Sequence, residues 1–219
     1  MNYINAFELN YQFILINAKD NEKELLYKLK EIKNDTLELI RNNTLKNNIR
    51  TKFCAAVISN SFLTDGFRLN FIDELNKYKI VDMGGNYNNN VGIINDKIEF
   101  LSSYKFSIAM ENTEGEGYLS EKIIDSFLSG TIPIYYGDYM LDEYINPEAY
   151  ILVRGEKDIK NKIEYIKEID NNDELYKNFL RKKVIINNEY TFKIEKEYAT
   201  FFEHIFEQNK ILAKRIDYN

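Results

Sequence analysis

The stretch Tyr104–Asp138, YKFSIAMENTEGEGYLSEKIIDSFLSGTIPIYYGD, decides the fold class that this sequence predicts. Its continuous apolar run Phe106–Met110 is typical of a strand that is buried on both faces. A polar, glycine-containing loop follows, and Tyr118–Leu128 then has the apolar spacing of a helix that ends before Gly130. The apolar run Thr131–Tyr136 predicts the next strand. Strand, helix and strand in this order indicate a βαβ unit with parallel strands.

The same alternation continues on both sides of this stretch. Further strands are predicted at Phe53–Ile58, Ile80–Met83 and Tyr150–Val153, and further helices at Phe67–Tyr78, Asp96–Tyr104, Lys157–Ile169, Asp173–Leu180 and Thr191–Ile216. We therefore predict an α/β domain over residues 51–219, built on a Rossmann-like, doubly wound parallel sheet. Ligands of such sheets bind beyond the carboxyl ends of the strands.

Residues 1–50 have a different pattern. The charged segment Lys19–Arg41 carries an imperfect helical stripe of apolar residues, which we interpret as a solvated helix packed on the main domain. The polar run Asn42–Asn48 is predicted to be a linker. We expect a helical N-terminal segment here that is too short to form a second complete domain.

Composition limits the chemistry available to the chain. Of its 219 residues, 29 are Lys or Arg and 35 are Asp or Glu, giving a net charge of −6 that argues against nucleic-acid binding. The single cysteine, Cys54, and the single histidine, His204, exclude an internal disulfide framework and multi-histidine metal sites. We interpret Cys54 as an inert core residue and His204 as a structural or solvent-facing residue. Function must then rest on carboxylates, Lys, Arg, Tyr and the backbone.

The sequence also predicts a location. No segment has the roughly 18 apolar residues that a membrane span requires, and the N-terminus is a poor signal peptide. We expect a cytoplasmic protein. The amphipathic stretch Phe201–Ile216 is interpreted as a core-packing helix, with peripheral membrane contact as the alternative.

The loop Glu111–Lys122 is the strongest candidate binding site. Its two glycines would let a ligand approach the backbone closely, and the following helix N-terminus would favour an anion. Lys122 adds a full positive charge for a phosphate. Glu121 could accept hydrogen bonds from sugar hydroxyls, and Tyr118 could stack on a base or ribose. The alternative is a solvated loop with ordinary first-turn helix residues.

Two other segments are predicted at the same edge of the sheet. Arg68 lies near the start of the helix after the first strand, where it could reach the same anion as Lys122; the alternative is an exposed first-turn arginine. Asp82–Asn86 follows the second strand and could line the same cleft, although its glycine pair is also typical of a simple turn.

These residues carry a resemblance to a known family. The run Tyr104–Asp138 resembles the signature of the family 10 glycosyltransferases, the α-1,3/1,4-fucosyltransferases. That signature is an apolar strand, Glu-Asn, a short loop, Tyr-x-(Thr/Ser)-Glu-Lys, a helix, and a Pro-containing strand ending in Gly. Segments 53–60, 77–85, 97–106 and 145–150 and residue Arg68 resemble the family in the same order, so the resemblance covers about residues 51–215.

The resemblance implies both a fold and a donor. It identifies the region as the C-terminal, Rossmann-like half of a two-domain GT-B enzyme that binds GDP-fucose. It implies that Arg68 and Lys122 hold the diphosphate, that Tyr118 and Glu121 contact the nucleoside, and that Asn112 lies near the donor.

We expect no cofactor and no divalent metal, because the sequence contains no Asp-x-Asp motif. Fixed cations would then stabilise the departing GDP. The expected reaction is an inverting transfer of L-fucose to a glycan hydroxyl, in α-1,3 or α-1,4 linkage, on an acceptor such as lipopolysaccharide.

The resemblance does not assign the general base to a residue of this chain. Family members are expected to carry it as a Glu of the acceptor domain, and residues 1–50 do not align with that domain. Glu111 is a candidate base from its position in the cleft, and a separate acceptor domain is the other expected source. Two alternatives stay open: a non-catalytic module that binds a GDP-sugar, and a transferase for a different GDP-sugar.

Overall fold

A five-stranded parallel sheet is the centre of the fold. We obtained it from a computed structural model, which describes residues 37–46, 50–59, 66–115, 120–139, 141–143 and 145–184. The strands are β1 (Lys52–Val57), β2 (Asp82–Gly84), β3 (Tyr104–Met110), β4 (Ile132–Tyr136) and β5 (Ile151–Leu152). Their order is β2-β1-β3-β4-β5, and every neighbouring pair is parallel. The predicted doubly wound sheet is confirmed.

Helices connect the strands at close to the predicted positions. They are α1 (37–46), α2 (Phe67–Asn76), α3 (Lys97–Leu101), α4 (Glu121–Leu128), α5 (Ile159–Asp170) and α6 (Asp173–Leu180). The predicted helix Thr191–Ile216 lies outside the described residues. Within the described ranges, no helix has the length and apolar character needed to cross a membrane.

The sheet has a buried helical layer on each face. All seven residues of β3 are buried, and their side chains alternate between the two layers. Phe106, Ile108 and Met110 pack in one apolar cluster with residues of α2, α5 and α6. Ala109 packs in the other cluster, with residues of α4. The continuous apolar pattern of this strand therefore reflects burial on both faces.

Helix α1 is joined to this domain by a buried arginine. Arg41 is 2% exposed, and its two terminal nitrogens each donate at 2.8 Å, one to the carbonyl oxygen of Lys182 and one to that of Ala149. Its guanidinium also lies 5.2 Å from the centre of the Phe127 ring. Of the predicted helix Lys19–Arg41, the structure describes only residues 37–41, which are helical and pack on the main domain; the rest lies outside the described residues. The linker prediction is wrong over residues 42–46, because the helix continues through them.

Another buried charge ties α5 to the beginning of β3. The Asp170 side chain is 3% exposed, and its carboxylate lies 2.5 Å from the Lys79 ammonium and 3.1 Å from that of Lys105. The Tyr78 hydroxyl donates to the same carboxylate at 2.9 Å. Three donors from two different segments therefore satisfy one buried carboxylate.

The strand order places a crevice between β1 and β3. These two strands are neighbours, but β1 connects through α2 to β2, whereas β3 connects through α4 to β4. The two connections leave in opposite directions and cover opposite faces of the sheet. Such a switch point, at the carboxyl ends of the strands, is where open α/β sheets bind ligands.

Candidate functional site

Arg68 approaches the end of β3 from the α2 side. It lies in the first turn of α2 and is 3% exposed. Its Nη1 donates to the Met110 carbonyl oxygen at 3.3 Å and to Asn112 Oδ1 at 3.0 Å. Asn112 is half-buried. The structure therefore brings the predicted residues Arg68 and Asn112 together at the switch point.

Lys122 approaches the same strand end from the α4 side. It lies in the first turn of α4, and its Nζ is 2.5 Å from Glu111 Oε2 and 2.9 Å from Ser120 Oγ. Its side chain is 22% exposed. The predicted cation is thus partly accessible and held beside the first residue after β3.

The two cations flank one strand end. Glu111, which bonds Lys122, and Asn112, which bonds Arg68, are consecutive residues directly after Met110. The α4 N-terminus at this edge adds the positive end of its helix dipole. Two cations and a helix terminus, set against the single Glu111 carboxylate, leave this strand end positive, which suits an anion such as a diphosphate.

Glu111 is the most enclosed member of the site. It is fully buried, and its Oε1 accepts from the Ser120 backbone N–H at 2.9 Å and from Ser120 Oγ at 2.5 Å. Its own N–H donates to the Tyr136 carbonyl oxygen at 2.7 Å, which extends the contact between β3 and β4. Gly137 leaves room for it, because a Cβ there would lie 2.6 Å from Glu111 Cγ.

The two residues predicted to contact the nucleoside are placed differently. Glu121 is exposed on the first turn of α4, with Oε1 3.9 Å from Lys97 Nζ. That lysine is 2.6 Å from Asp125, so Glu121 carries only a weak ion pair and its carboxylate is accessible. Tyr118 lies outside the described residues.

The predicted segment Asp82–Asn86 packs beside β1. The Ile58 N–H donates to the Gly84 carbonyl oxygen at 3.0 Å, and the Tyr87 N–H donates to the Ile58 carbonyl oxygen at the same distance. Gly85 has φ +83°, and a Cβ on it would lie 2.5 Å from the Ile58 carbonyl oxygen. The contacts of this turn are with the backbone of Ile58, directly after β1.

Two further polar residues at this edge were not predicted. Arg154 follows β5, and its guanidinium lies 3.2 Å from Glu114 and donates to the Tyr139 carbonyl oxygen at 3.3 Å. It therefore links the loops that follow β3 and β4. Asp138 follows β4 and is buried, and its N–H donates to the Tyr135 hydroxyl at 2.8 Å. The available signal was their position close behind a predicted strand: Arg154 comes directly after Val153, and Asp138 comes two residues after Tyr136.

The remaining candidates are structural or lie outside the described residues. Cys54 is buried in β1, and burial, together with the nearby carboxylates Asp82 and Asp170, raises the pKa of its thiol. This confirms its interpretation as a core residue. His204 lies outside the described ranges. In the part of the chain that the structure describes, no group of three or more His, Cys, Asp or Glu side chains is arranged to hold a metal ion.

Comparison with known families identifies the domain. The sequence profile of glycosyltransferase family 10 (fucosyltransferase), C-terminal part, matches residues 47–212. The chain belongs to glycosyltransferase family 10. Its parallel sheet is the Rossmann-like half of a GT-B fold, as the resemblance implied.

Two curated fucosyltransferases are similar to this region. An alpha-(1,3)-fucosyltransferase of Helicobacter pylori is 40% identical over 111 residues, which are 50% of this chain and 23% of the relative. A GDP-fucose protein O-fucosyltransferase 3 of Xenopus laevis is 32% identical over 126 residues, 52% of this chain and 27% of the relative.

Solved family structures have the same fold. A crystal structure of an alpha1,3-fucosyltransferase with GDP-fucose superposes with a TM-score of 0.67 at 30% identity, covering 81% of this chain and 55% of the other. The chain thus spans about a quarter of the length of these curated relatives and about half of that solved chain.

Proposed function

We propose that this family 10 domain binds GDP-fucose at the carboxyl edge of its sheet and is the donor-binding half of a fucosyltransferase. The observation that carries the proposal is the convergence of Arg68 and Lys122 on the two sides of the β3 end. A diphosphate placed over that strand end would meet both cations and the α4 N-terminus. The GDP-fucose bound to a structural relative supports the choice of nucleotide sugar.

The proposed reaction is an inverting displacement. An acceptor hydroxyl attacks the anomeric carbon of fucose, the bond from that carbon to the diphosphate breaks, and GDP departs with the electron pair. A base takes the proton of the hydroxyl. Arg68 and Lys122 stabilise the charge that develops on the departing diphosphate. The product is an α-1,3 or α-1,4 fucoside.

We propose that these two cations hold the diphosphate without a divalent metal. Arg68 is fixed by two acceptors and Lys122 by Glu111 and Ser120, so both charges are in place before the ligand arrives. The affinity for GDP should then be the same in EDTA as in millimolar Mg²⁺ or Mn²⁺. A strong gain in affinity with either ion would contradict this part of the proposal.

The proposed acceptor is a glycan such as lipopolysaccharide, presented by a separate acceptor domain. The names of the two relatives both specify fucose transfer, and of the two only the name of the Xenopus laevis relative gives an acceptor, a protein. The names therefore support the donor more strongly than any one acceptor. Transfer of radiolabelled fucose to purified lipopolysaccharide, with and without an added family acceptor domain, tests this. Incorporation only into protein would overturn the choice of acceptor.

Calorimetric titration with GDP-fucose tests the donor site. The wild-type chain should bind, and Lys122→Ala should weaken binding by about tenfold or more, since a charge-assisted hydrogen bond contributes about 1.5–3 kcal/mol. Lys177→Ala is the matched control, because Lys177 pairs with Glu174 on the distant helix α6. No binding by the wild type, or equal binding by Lys122→Ala, would contradict the proposal.

A second candidate function is non-catalytic binding of a GDP-sugar. It is supported by Glu111, the candidate base, whose two oxygens accept from three donors. This candidate predicts GDP binding with neither fucose transfer nor donor hydrolysis, and measured turnover by the isolated chain rules it out. Competition between GDP-fucose and GDP-mannose decides whether a different sugar is the donor.

The proposed location is the cytoplasm, in keeping with a single buried thiol. A lipid-linked acceptor would bring the protein to a membrane surface. Co-sedimentation with liposomes tests this contact, and a protein that stays in the supernatant would contradict it.

A further inference from the structure

We propose that Glu111 is a positioning residue, which fixes the Lys122 ammonium and the first turn of α4 in the geometry that receives the donor diphosphate. This rests on the proposed function. The sequence offered Glu111 as a candidate base, and its contacts assign it a different task. Its carboxylate bonds only to the beginning of α4 among the described residues, through Ser120 and Lys122.

The burial of Glu111 makes these contacts necessary. A carboxylate removed from water is strongly disfavoured unless a countercharge and hydrogen bonds replace its hydration. Glu111 has no exposed side-chain surface, and Lys122 and two donors of Ser120 supply that replacement. Because all three come from one helix start, the carboxylate ties that helix start to the end of β3.

The contacts turn a flexible lysine into a fixed cation. A lysine ammonium is a point charge on a four-carbon stem with several rotatable bonds. The Lys122 ammonium donates to Glu111 Oε2 and to Ser120 Oγ, and Ser120 Oγ itself donates to Glu111 Oε1. This triangle uses two of the three ammonium donors, so the third is oriented for a ligand oxygen. A cation that is already in position before the reaction stabilises the negative charge of the diphosphate without having to reorganise.

The same geometry disfavours proton transfer by Glu111. A general base needs an oxygen within hydrogen-bond reach of the proton that it takes. Oε1 is occupied by both donors of Ser120, and Oε2 by Lys122 at 2.5 Å. Gly137 packs against the Glu111 side chain, so closely that a Cβ added to Gly137 would collide with Glu111 Cγ. Both Glu111 oxygens thus already accept from the beginning of α4, and among the described residues the side chain has no exposed surface that an acceptor hydroxyl could approach.

The test compares GDP affinity in three variants of the full chain by calorimetry. Glu111→Gln keeps the shape but removes the charge, and Lys122→Met keeps the stem but removes the ammonium. We expect each to weaken GDP binding by about tenfold or more. If Glu111 acts through Lys122, the double variant binds no more weakly than Lys122→Met alone, a non-additive cycle.

Asp170→Asn is the matched control. Asp170 is also a buried carboxylate with three side-chain donors, but it lies near the beginning of β3. The Asp170→Asn variant should have a lower free energy of unfolding and an unchanged GDP affinity. Equal losses of GDP affinity in Asp170→Asn and Glu111→Gln would show that Glu111→Gln weakens binding through general destabilisation. Unchanged GDP affinity with abolished transfer in Glu111→Gln would make Glu111 the base. Either result overturns the positioning role.

A measurement without ligand separates this inference from the proposed function. Acetylation of lysines by a succinimidyl ester, followed by mass spectrometry, should modify Lys122 slowly in the wild type and several-fold faster in Glu111→Gln. Lys177 serves as the internal reference. An unchanged rate at Lys122 overturns the positioning role even when GDP binds. Absence of GDP binding by the wild type overturns the proposed function, whatever the rate.

Discussion

Arg68 is buried, although an arginine in the first turn of a helix is ordinarily exposed. Its position follows from the contacts with the Met110 carbonyl and the Asn112 amide. The planar guanidinium serves both acceptors through Nη1, and an ammonium cannot reproduce that planar geometry.

We predict that Arg68→Lys weakens GDP binding about tenfold and lowers the free energy of unfolding by about 1–2 kcal/mol, because the buried Met110 carbonyl loses its donor. Calorimetry and urea unfolding measure the two effects. Arg181→Lys is the control, since Arg181 bonds the Asn178 side chain on an exposed surface. Equal effects in both variants would contradict a specific role for Arg68.

The predicted nucleoside contact of Glu121 can be tested against its neighbour Asp125. Both carboxylates face Lys97, at 3.9 Å and 2.6 Å respectively. Glu121→Gln should change the free energy of unfolding by less than about 0.5 kcal/mol and weaken GDP binding at least threefold. Asp125→Asn should leave the affinity unchanged. The opposite pattern, with affinity lost only in Asp125→Asn, would move the nucleoside contact away from Glu121.

At the scale of elements, Asp170 connects α5 to the beginning of β3. Burial acts to raise the pKa of Asp170, but hydrogen bonds from Lys79, Lys105 and Tyr78 outweigh it and hold that pKa below its ordinary value. The folded state therefore binds a proton less readily than the unfolded state. This stabilisation is fully present above the unfolded pKa of about 3.9 and is lost as the pH falls through the folded pKa.

We predict that Asp170→Asn lowers the free energy of unfolding by about 3 kcal/mol at pH 7, because it leaves the buried Lys105 ammonium without its countercharge. The loss should shrink as the pH approaches 3. Urea unfolding at a series of pH values measures this. A loss that does not change with pH would show that the charge of Asp170 is not responsible.

Helix α1 is predicted to stabilise the donor-binding domain. Arg41→Met removes three hydrogen bonds to main-chain carbonyls, those of Phe179, Lys182 and Ala149, and should lower the free energy of unfolding by about 2–3 kcal/mol. Burial lowers the pKa of Arg41 to about 10, so the guanidinium is charged at neutral pH. Unfolding of residues 37–46 independently of the sheet, seen by hydrogen exchange, would contradict this.

The elements were predictable where local pattern and tertiary environment agree. Buried strands such as β3 are continuously apolar. Helix α3 begins close to its predicted start at Asp96, whose side chain caps it by accepting from the Glu99 N–H at 2.8 Å. Residues 42–46 were missed because their polar sequence favours a linker locally, while Arg41 docks the helix through distant carbonyls. Pairings such as Glu111 with Lys122 depend on the fold, and spacing alone could not give them.

At the scale of the whole molecule, the strand order determines where chemistry can occur. The order β2-β1-β3-β4-β5 produces one switch point, and the described candidates Arg68, Glu111, Asn112 and Lys122 lie at it. A different groove, of about 420 Å³, runs between α2 and α5 and is lined by side chains of mixed charge. Binding there would place the ligand on the outer face of the helices.

Hydrogen–deuterium exchange with and without saturating GDP tests the location of the donor site most directly. Binding at the switch point predicts slower exchange in peptides covering 106–115 and 120–128, with no change in peptides covering α5 and α6. Protection confined to α5 and the facing side of α2, or no protection at all, would contradict a donor site at the end of β3.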